Sequence, residues 1–277
     1  MNIFRYLLRW LKWSGGFAIY HLPFFAGLRN QYLGRMYTMS ERRGWLFRSF
    51  RGYVLGQVAY RQLPEFRTAI LTGESGRRWA EFYRSQPEEY YLEGFSEPLK
   101  ACEELLQSGA ASRFLQIGCA GGRELAILAS RFPYLKFCGV DINAAAIQEN
   151  QKAYAATRNL EFRVADLTLS DSWTQWHPDV IYSSGCLEYL AEDEVAGFIR
   201  RAHEAGVSRL ILCEPTDGSM REHSVPRGGA AFAHDYRHLA AQGGWSSVRV
   251  ICEPAPDKNL LLIASRDGST ILPRSNG

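Results

Sequence analysis

The 277-residue chain is 46% hydrophobic and 22% charged, a composition that places it among globular proteins with enough apolar material for a sizeable core. Its net charge of +3 hides an asymmetry: residues 1–63 hold ten Arg or Lys against one acid, Glu41, and are +9, whereas the remainder holds 22 basic and 28 acidic residues and is −6. A basic extension of this kind suits an anionic partner, either a membrane surface or nucleic acid.

The six cysteines, Cys102, Cys119, Cys138, Cys186, Cys213 and Cys252, show no C-x-x-C spacing, and are expected to be reduced core thiols rather than a disulfide framework or zinc site. No metal-ligand cluster is read. No 18-residue run is apolar throughout, and Arg5, Arg9 and Lys12 interrupt the first apolar stretch. Neither a spanning helix nor a secretory leader is expected, and the location read is cytoplasmic, peripheral on the inner face of a membrane.

Residues 2–13 form an amphipathic helical pattern, with Ile3, Phe4, Leu7, Leu8 and Leu11 on one face and Arg5, Arg9 and Lys12 on another. Such a helix suits a membrane interface, or docking on the main domain. Residues 14–63 interleave aromatics with arginines and glycines, and three readings stay open: a cover over the site, a membrane-facing surface, or stacking on single-stranded nucleic acid, which ranks last. Residues 1–63 are therefore one basic, helical region. Residues 64–112 read as a helical lid or linker, with pieces at 65–71, at 77–84 and from Pro98 to Ser108-Gly109.

From 113 to 266 strand and helix alternate. Strands are expected at 113–117, 136–140, 160–165, 178–183, 208–213, 246–252 and 259–265, and helices at 122–132, 143–156, 192–205 and 232–243. That alternation indicates an α/β fold, a parallel sheet with helices on both faces. Only Glu253 to Lys258 separate the last two strands, so these form an antiparallel pair at the sheet edge. Residues 267–277 are a polar tail.

The chemistry centres on Phe114-Leu-Gln-Ile-Gly-Cys-Ala-Gly-Gly-Arg-Glu124: an apolar strand, a glycine turn, then a helix. A turn of glycines lets backbone approach a ligand closely and aims helix N–H groups at it. Asp141 lies 23 residues after Gly118 at the end of the second strand, where an acid accepts from a ribose diol. Asp166 ends the third strand, where an acid can take an adenine amine. A dinucleotide loop requires G-x-G-x-x-G, but Ala120 and Arg123 occupy the second and third glycine positions. The Tyr-x-x-x-Lys pair of short-chain reductases and the phosphate loop G-x-x-x-x-G-K-[ST] are not found.

The set resembles the class I S-adenosylmethionine-dependent methyltransferases over residues 98–266. The resemblance rests on Phe114 to Gly122, Val140-Asp-Ile-Asn143, Ala165-Asp-Leu167, Ser183 to Leu190, Leu212-Cys-Glu-Pro215 and the closing strand pair. Gln116 stands where the family has an acid, and Ala120 where it has the central glycine. The resemblance implies a doubly wound seven-stranded mixed sheet, six strands parallel and one antiparallel, behind an N-terminal helical extension. It implies S-adenosylmethionine as cofactor. Gly118, Ala120 and Gly122 would line its amino-acid portion, Asp141 its ribose, Ile142, Asp166 and Leu167 its adenine, and Ser184 and Gly185 the space beneath its methionine portion, with Gln116 and Cys119 also among the cofactor-binding residues. Candidate catalytic residues are His234, His223, Glu188 and Tyr189. The expected reaction is methyl transfer to an oxygen or nitrogen of a small-molecule or lipid-linked glycan acceptor. The alternatives are an NAD-dependent oxidoreductase and a non-catalytic binding protein of the same fold.

Overall fold

In a computed structural model, the structure describes residues 15–19, 21–33, 50, 64–94, 96–109, 111–168, 172–216, 225–228, 231–252 and 259–268. The amphipathic helix expected over 2–13, most of 14–63, and His223 lie outside the described residues. The chain divides into two compact units, Met1–Trp79 with Pro226–Ala231, and Ala80–Val225 with Phe232–Gly277.

In the first unit a 3-10 turn, Pro23–Phe25, leads into α1 (Ala26–Leu33), and α2 spans Pro64–Thr72. Tyr32 packs on Phe50, their ring centroids 5.5 Å apart. Phe17, Leu22 and Phe24 are exposed.

The helices that follow are α3 (Glu74–Ser85), α4 (Glu88–Gly94) and α5 (Ser96–Gln107). The second unit then alternates β1 (Arg113–Ile117), α6 (Arg123–Arg131), β2 (Lys136–Asp141), α7 (Ala144–Ala153), β3 (Leu160–Val164), β4 (Val180–Ser184), α8 (Glu192–Glu204) and β5 (Arg209–Glu214). After the short strands β6 (Val225–Gly228) and β7 (Ala231–Ala233) come α9 (Tyr236–Gln242), β8 (Ser247–Cys252) and β9 (Leu260–Ser265).

Seven strands form one sheet in the order β3-β2-β1-β4-β5-β9-β8. Only β9 runs against the others, pairing antiparallel with both β5 and β8. The expected mixed sheet, six strands parallel and one antiparallel, is therefore present. Its inner strands β2, β1, β4, β5 and β9 are largely apolar runs because both faces are covered, whereas the edge strands β3 and β8 are only partly buried. Leu99, Leu105 and Leu106 of α5 and Leu125 and Leu128 of α6 pack with Phe114 and Phe137 on one face. Phe198 and Ile199 of α8 and Tyr236 and Leu239 of α9 pack with Leu115, Ile117 and Ile181 on the other. Each such fully buried aliphatic or aromatic side chain is worth about 1.5–3 kcal/mol.

Two sequence expectations need correction. The helix expected over 232–243 starts at Tyr236, because Ala231–Ala233 is extended and Asp235 caps the helix, its side chain accepting from His238 N. A side chain placed to cap the first turn fixes where the helix begins. The helix α4 was not anticipated from the sequence; it follows Pro87, whose missing N–H and fixed φ suit a helix start. The helix α5 flanks the sheet through Leu99, Cys102, Leu105 and Leu106, which are buried against β1.

The topology positions the site. Connections from β1 run outward through β2 and β3, and those from β4 run outward the other way. The order reverses between β1 and β4, and the crevice beyond the carboxyl ends at such a reversal is where these sheets bind ligands. The N-terminal side of this junction is pinned by Asp179, whose Oδ2 accepts from Ser112 N, Ser112 Oγ and Arg113 N at 2.8–2.9 Å.

Candidate active site

The turn between β1 and α6 is built by conformation and close packing together. Gly118 and Gly122 have φ of +62° and +69°, in the left-handed region open to glycine. A Cβ on Gly118 would sit 2.4 Å from Cys186 Sγ, and one on Gly122 2.7 Å from the Phe162 ring. At Gly121 a Cβ would meet Ala80 O at 2.3 Å and Arg84 N at 2.4 Å, so α3 backbone lies directly on the turn. Gly139 on β2 leaves room for Phe162 and Cys119 Sγ in the same way.

Ala120 also has a positive φ, +44°. Its peptide is held from both sides: Ala120 N donates to Asp141 Oδ2 at 2.9 Å, and Asn150 Nδ2 donates to Ala120 O at 2.8 Å. Arg84 Nε donates to Asn150 Oδ1 at 3.1 Å, and Tyr154 OH donates to Gly121 O at 3.2 Å. The surrounding hydrogen bonds thus hold an alanine where the backbone favours glycine. A left-handed L-residue costs roughly 1–2 kcal/mol, part of which glycine returns through its looser unfolded chain. Ala120→Gly should therefore stabilise the protein by about 0.5–1 kcal/mol, read as a higher urea midpoint at unchanged slope.

Asp141 closes β2. Besides Ala120 N, its carboxylate accepts from Asn143 N at 2.9 Å, so both oxygens are aimed by backbone. Burial raises its pKa, and the N–H groups of Asn143, Ala120 and Ile142 oppose that rise. A carboxylate has about four acceptor positions, so capacity remains for a ligand hydroxyl. Asp166 lies past β3, and its Oδ1 accepts from Thr168 N and Oγ1. Leu167 is buried and its carbonyl accepts from Arg201 Nη2 at 2.7 Å, while Ile142 is half-buried. Cys119 is buried, and its thiol pKa is pushed well up by burial and by Asp141, so it is a packing group rather than a nucleophile.

Across the crevice, β4 ends at Ser184, Gly185 follows with φ +60°, and Leu187–Tyr189 form a 3-10 turn. Glu214, at the end of β5, fixes this segment: its Oε1 accepts from Ser183 Oγ, Cys186 N and Leu187 N. Its Oε2 is buried and has no hydrogen-bond partner among the described residues. Burial pushes its pKa up to about 7, helped by Glu188 and opposed by those hydrogen bonds. Glu188 and Tyr189 are half-buried on the turn, and a Cβ on Gly185 would lie 3.7 Å from Glu188 Oε1. His234 is buried with Nε2 3.1 Å from Leu190 O, a distance at which Nε2 donates. Desolvation lowers its pKa, the Leu190 hydrogen bond opposing, so the ring is neutral at pH 7.

Several residues at this centre were missed by sequence reasoning. Glu124, in the first turn of α6, is 7% exposed and accepts from Gln116 Nε2 at 3.0 Å and Tyr182 OH at 2.8 Å. Asn150 is fully buried with Ala146 and Ile147, its neighbours at helical spacing. That spacing was the available signal: a polar residue on an apolar helix face needs a partner.

Residues 115–205 match a family model described as a methyltransferase domain. The trans-aconitate 2-methyltransferase of Paracidovorax citrulli is 26% identical over 136 residues, covering 49% of this chain and 47% of that protein. The protein of the same name from Methylobacterium radiotolerans is 29% identical over 144 residues, covering 51% and 48%. The chain thus spans about half the length of the curated relatives it matches. Among solved structures, magnesium protoporphyrin IX methyltransferase from Synechocystis with bound SAH superimposes with a TM-score of 0.54 at 18% identity, covering 71% of this chain and 96% of that one. The N-terminal domain of EvdMO1 in the presence of SAH and D-fucose gives a TM-score of 0.51 at 16% identity, covering 61% and 82%.

Proposed function

We propose, from the premise that this chain carries a class I methyltransferase domain, that it transfers a methyl group from S-adenosylmethionine to an oxygen or nitrogen of a small-molecule acceptor. The observation that carries the reading is the Asp141 carboxylate, aimed by Ala120 N and Asn143 N at the end of β2 beside the glycine turn. Its remaining acceptor capacity fits a ribose diol. Asp166 and Leu167 would meet the adenine, Gly118 to Gly122 the amino-acid portion, and Ser184 and Gly185 the methionine side.

When bound, the cofactor supplies a methyl group activated on a sulfonium. The chain's own work is to orient it, to exclude water and to take a proton from a hydroxyl acceptor. Neutral His234 and the Glu188–Tyr189 turn are our candidates for the proton acceptor. Support for a small acceptor comes from the relatives, named for trans-aconitate, and from a fold neighbour studied with D-fucose. Incubation with methyl-labelled S-adenosylmethionine and a panel of carboxylate, sugar and phenolic acceptors tests the activity. Label in an acceptor supports it; label in none, with the cofactor demonstrably bound, favours a binding protein of this fold.

Our narrower reading places the acceptor at a membrane, as a glycan or lipid-linked glycan. Phe17, Leu22 and Phe24 are 47%, 48% and 91% exposed, within a region whose residues 1–63 are +9. No helix among the described residues is long and apolar enough to cross a membrane. Apolar side chains beside basic ones suit interfacial attachment. The full chain should bind anionic vesicles at low salt, and the double variant Phe17→Asp, Phe24→Asp should lose at least about tenfold in partitioning, given roughly 1.5–3 kcal/mol per buried Phe. Equal sedimentation of both proteins with such vesicles would remove the membrane from the account.

A further inference from the structure

Beneath the glycine turn lies a buried polar cluster. Gln116, two residues before Gly118, and Glu124, two residues after Gly122, bracket the turn and meet below it. Gln116 is 4% exposed, and its amide is oriented by donation from Nε2 to Glu124 Oε2. Its Oε1 is buried and accepts no hydrogen bond among the described residues. A buried acceptor in that state calls for a donor.

Among the described residues Glu124 has no ion-pair partner. Its two hydrogen bonds among the described residues come from neutral donors, Gln116 on β1 and Tyr182 on β4. The titratable groups around it are Tyr182, Tyr91 of α4, Tyr83 of α3, Cys102 of α5 and Cys213 of β5. Each is held in its neutral form by burial, and each is pushed further up by Glu124. Among the described residues the cluster therefore contains no positive charge. Desolvation lifts Glu124 to about 7, the Tyr182 and Gln116 hydrogen bonds opposing.

Resting on the cofactor reading above, we propose that Gln116 and Glu124 form one positioning unit for the cofactor's cationic amino-acid portion. Gln116 Oε1 accepts from its ammonium, and the Glu124 carboxylate supplies the balancing charge. A nearby cation favours the ionised carboxylate, so binding expels the Glu124 proton to solvent. With a free-state value about 7, the linkage makes cofactor affinity about tenfold greater at pH 8 than at pH 6 and releases about half a proton per cofactor bound at pH 7.

Titration calorimetry of the full chain with S-adenosylmethionine and with SAH tests this, run in buffers of different ionisation enthalpy to count protons. The difference between wild type and E124Q removes any ionisation of the ligand itself. E124Q should lose the half-proton release and flatten the affinity profile. Y182F, which removes a hydrogen bond to the carboxylate, should shift the wild-type midpoint upward. The thermal midpoint of ligand-free E124Q at pH 8 separates positioning from a merely structural role. The folded pKa of Glu124 is raised, so its contribution to stability is fullest below about 4.5 and is lost as pH rises through about 7. The ligand-free variant should then melt at or above wild type at pH 8. Equal proton release by wild type and E124Q, or an unshifted Y182F midpoint, overturns the proposal. Failure of wild type to bind either compound at any pH overturns the cofactor reading and this inference with it.

Discussion

Asp141→Ala is expected to weaken S-adenosylmethionine binding about 100-fold, from the loss of charge-assisted hydrogen bonds worth about 1.5–3 kcal/mol each. The same change removes the acceptor for Ala120 N and Asn143 N, both of which it now satisfies at 2.9 Å. Leaving backbone donors without partners costs about 1–3 kcal/mol, so the ligand-free protein should also lose about 2 kcal/mol of stability. Asp141→Asn separates the two losses. Its amide keeps the volume and one acceptor oxygen, so most of the fold's stability should remain while binding still falls. Calorimetry gives the affinities and urea unfolding the stabilities. Binding of Asp141→Ala at wild-type affinity would remove the carboxylate from the ligand site.

Gly118→Ala should cost about 3 kcal/mol or more, by adding an αL penalty of roughly 1–2 kcal/mol to an overpacking strain of about 1–3 kcal/mol. The geometry names the obstruction: the new methyl would lie 2.4 Å from Cys186 Sγ and 2.5 Å from Cys186 Cβ. Truncating that side chain in Gly118→Ala, Cys186→Gly should recover the overpacking part and leave the conformational part. A double-mutant cycle read by urea midpoints should therefore show a favourable coupling of at least about 1 kcal/mol, in the range typical of touching residues. Strict additivity would mean that Cys186 does not bear on the turn.

The sheet was legible because its inner strands are short, largely apolar runs closed by turn residues, a pattern that burial on both faces demands. Even the antiparallel β9 could be read, since six residues leave no room for a crossover helix. The extended piece Ala231–Ala233 was misread as helix because apolar residues run on from it into Leu239, although Asp235 marked the true start. In the site, Gly118, Gly122 and Asp141 were visible as residues whose chemistry suits their place in a βα unit. Glu124 was not: an acid in a first helical turn reads as a partner for the helix dipole, and only the packing shows it buried on Gln116 and Tyr182. Arg84 and Tyr154 reach the turn from α3 and from the residue after α7, contacts that local spacing does not encode. Gln116 and Glu124 also change the meaning of the irregular motif. The charge that the family resemblance places at 116 is present eight residues later, joined to 116 by a hydrogen bond.

The central claim is that the crevice beyond β1 and β4 is a site for S-adenosylmethionine and not for a dinucleotide. Titration calorimetry of the full chain with S-adenosylmethionine, and separately with NAD, tests it most directly. The account predicts saturable one-to-one binding of S-adenosylmethionine, weakened about 100-fold by Asp141→Ala, and no heat of binding with NAD. Saturable binding of NAD with none of S-adenosylmethionine would contradict it.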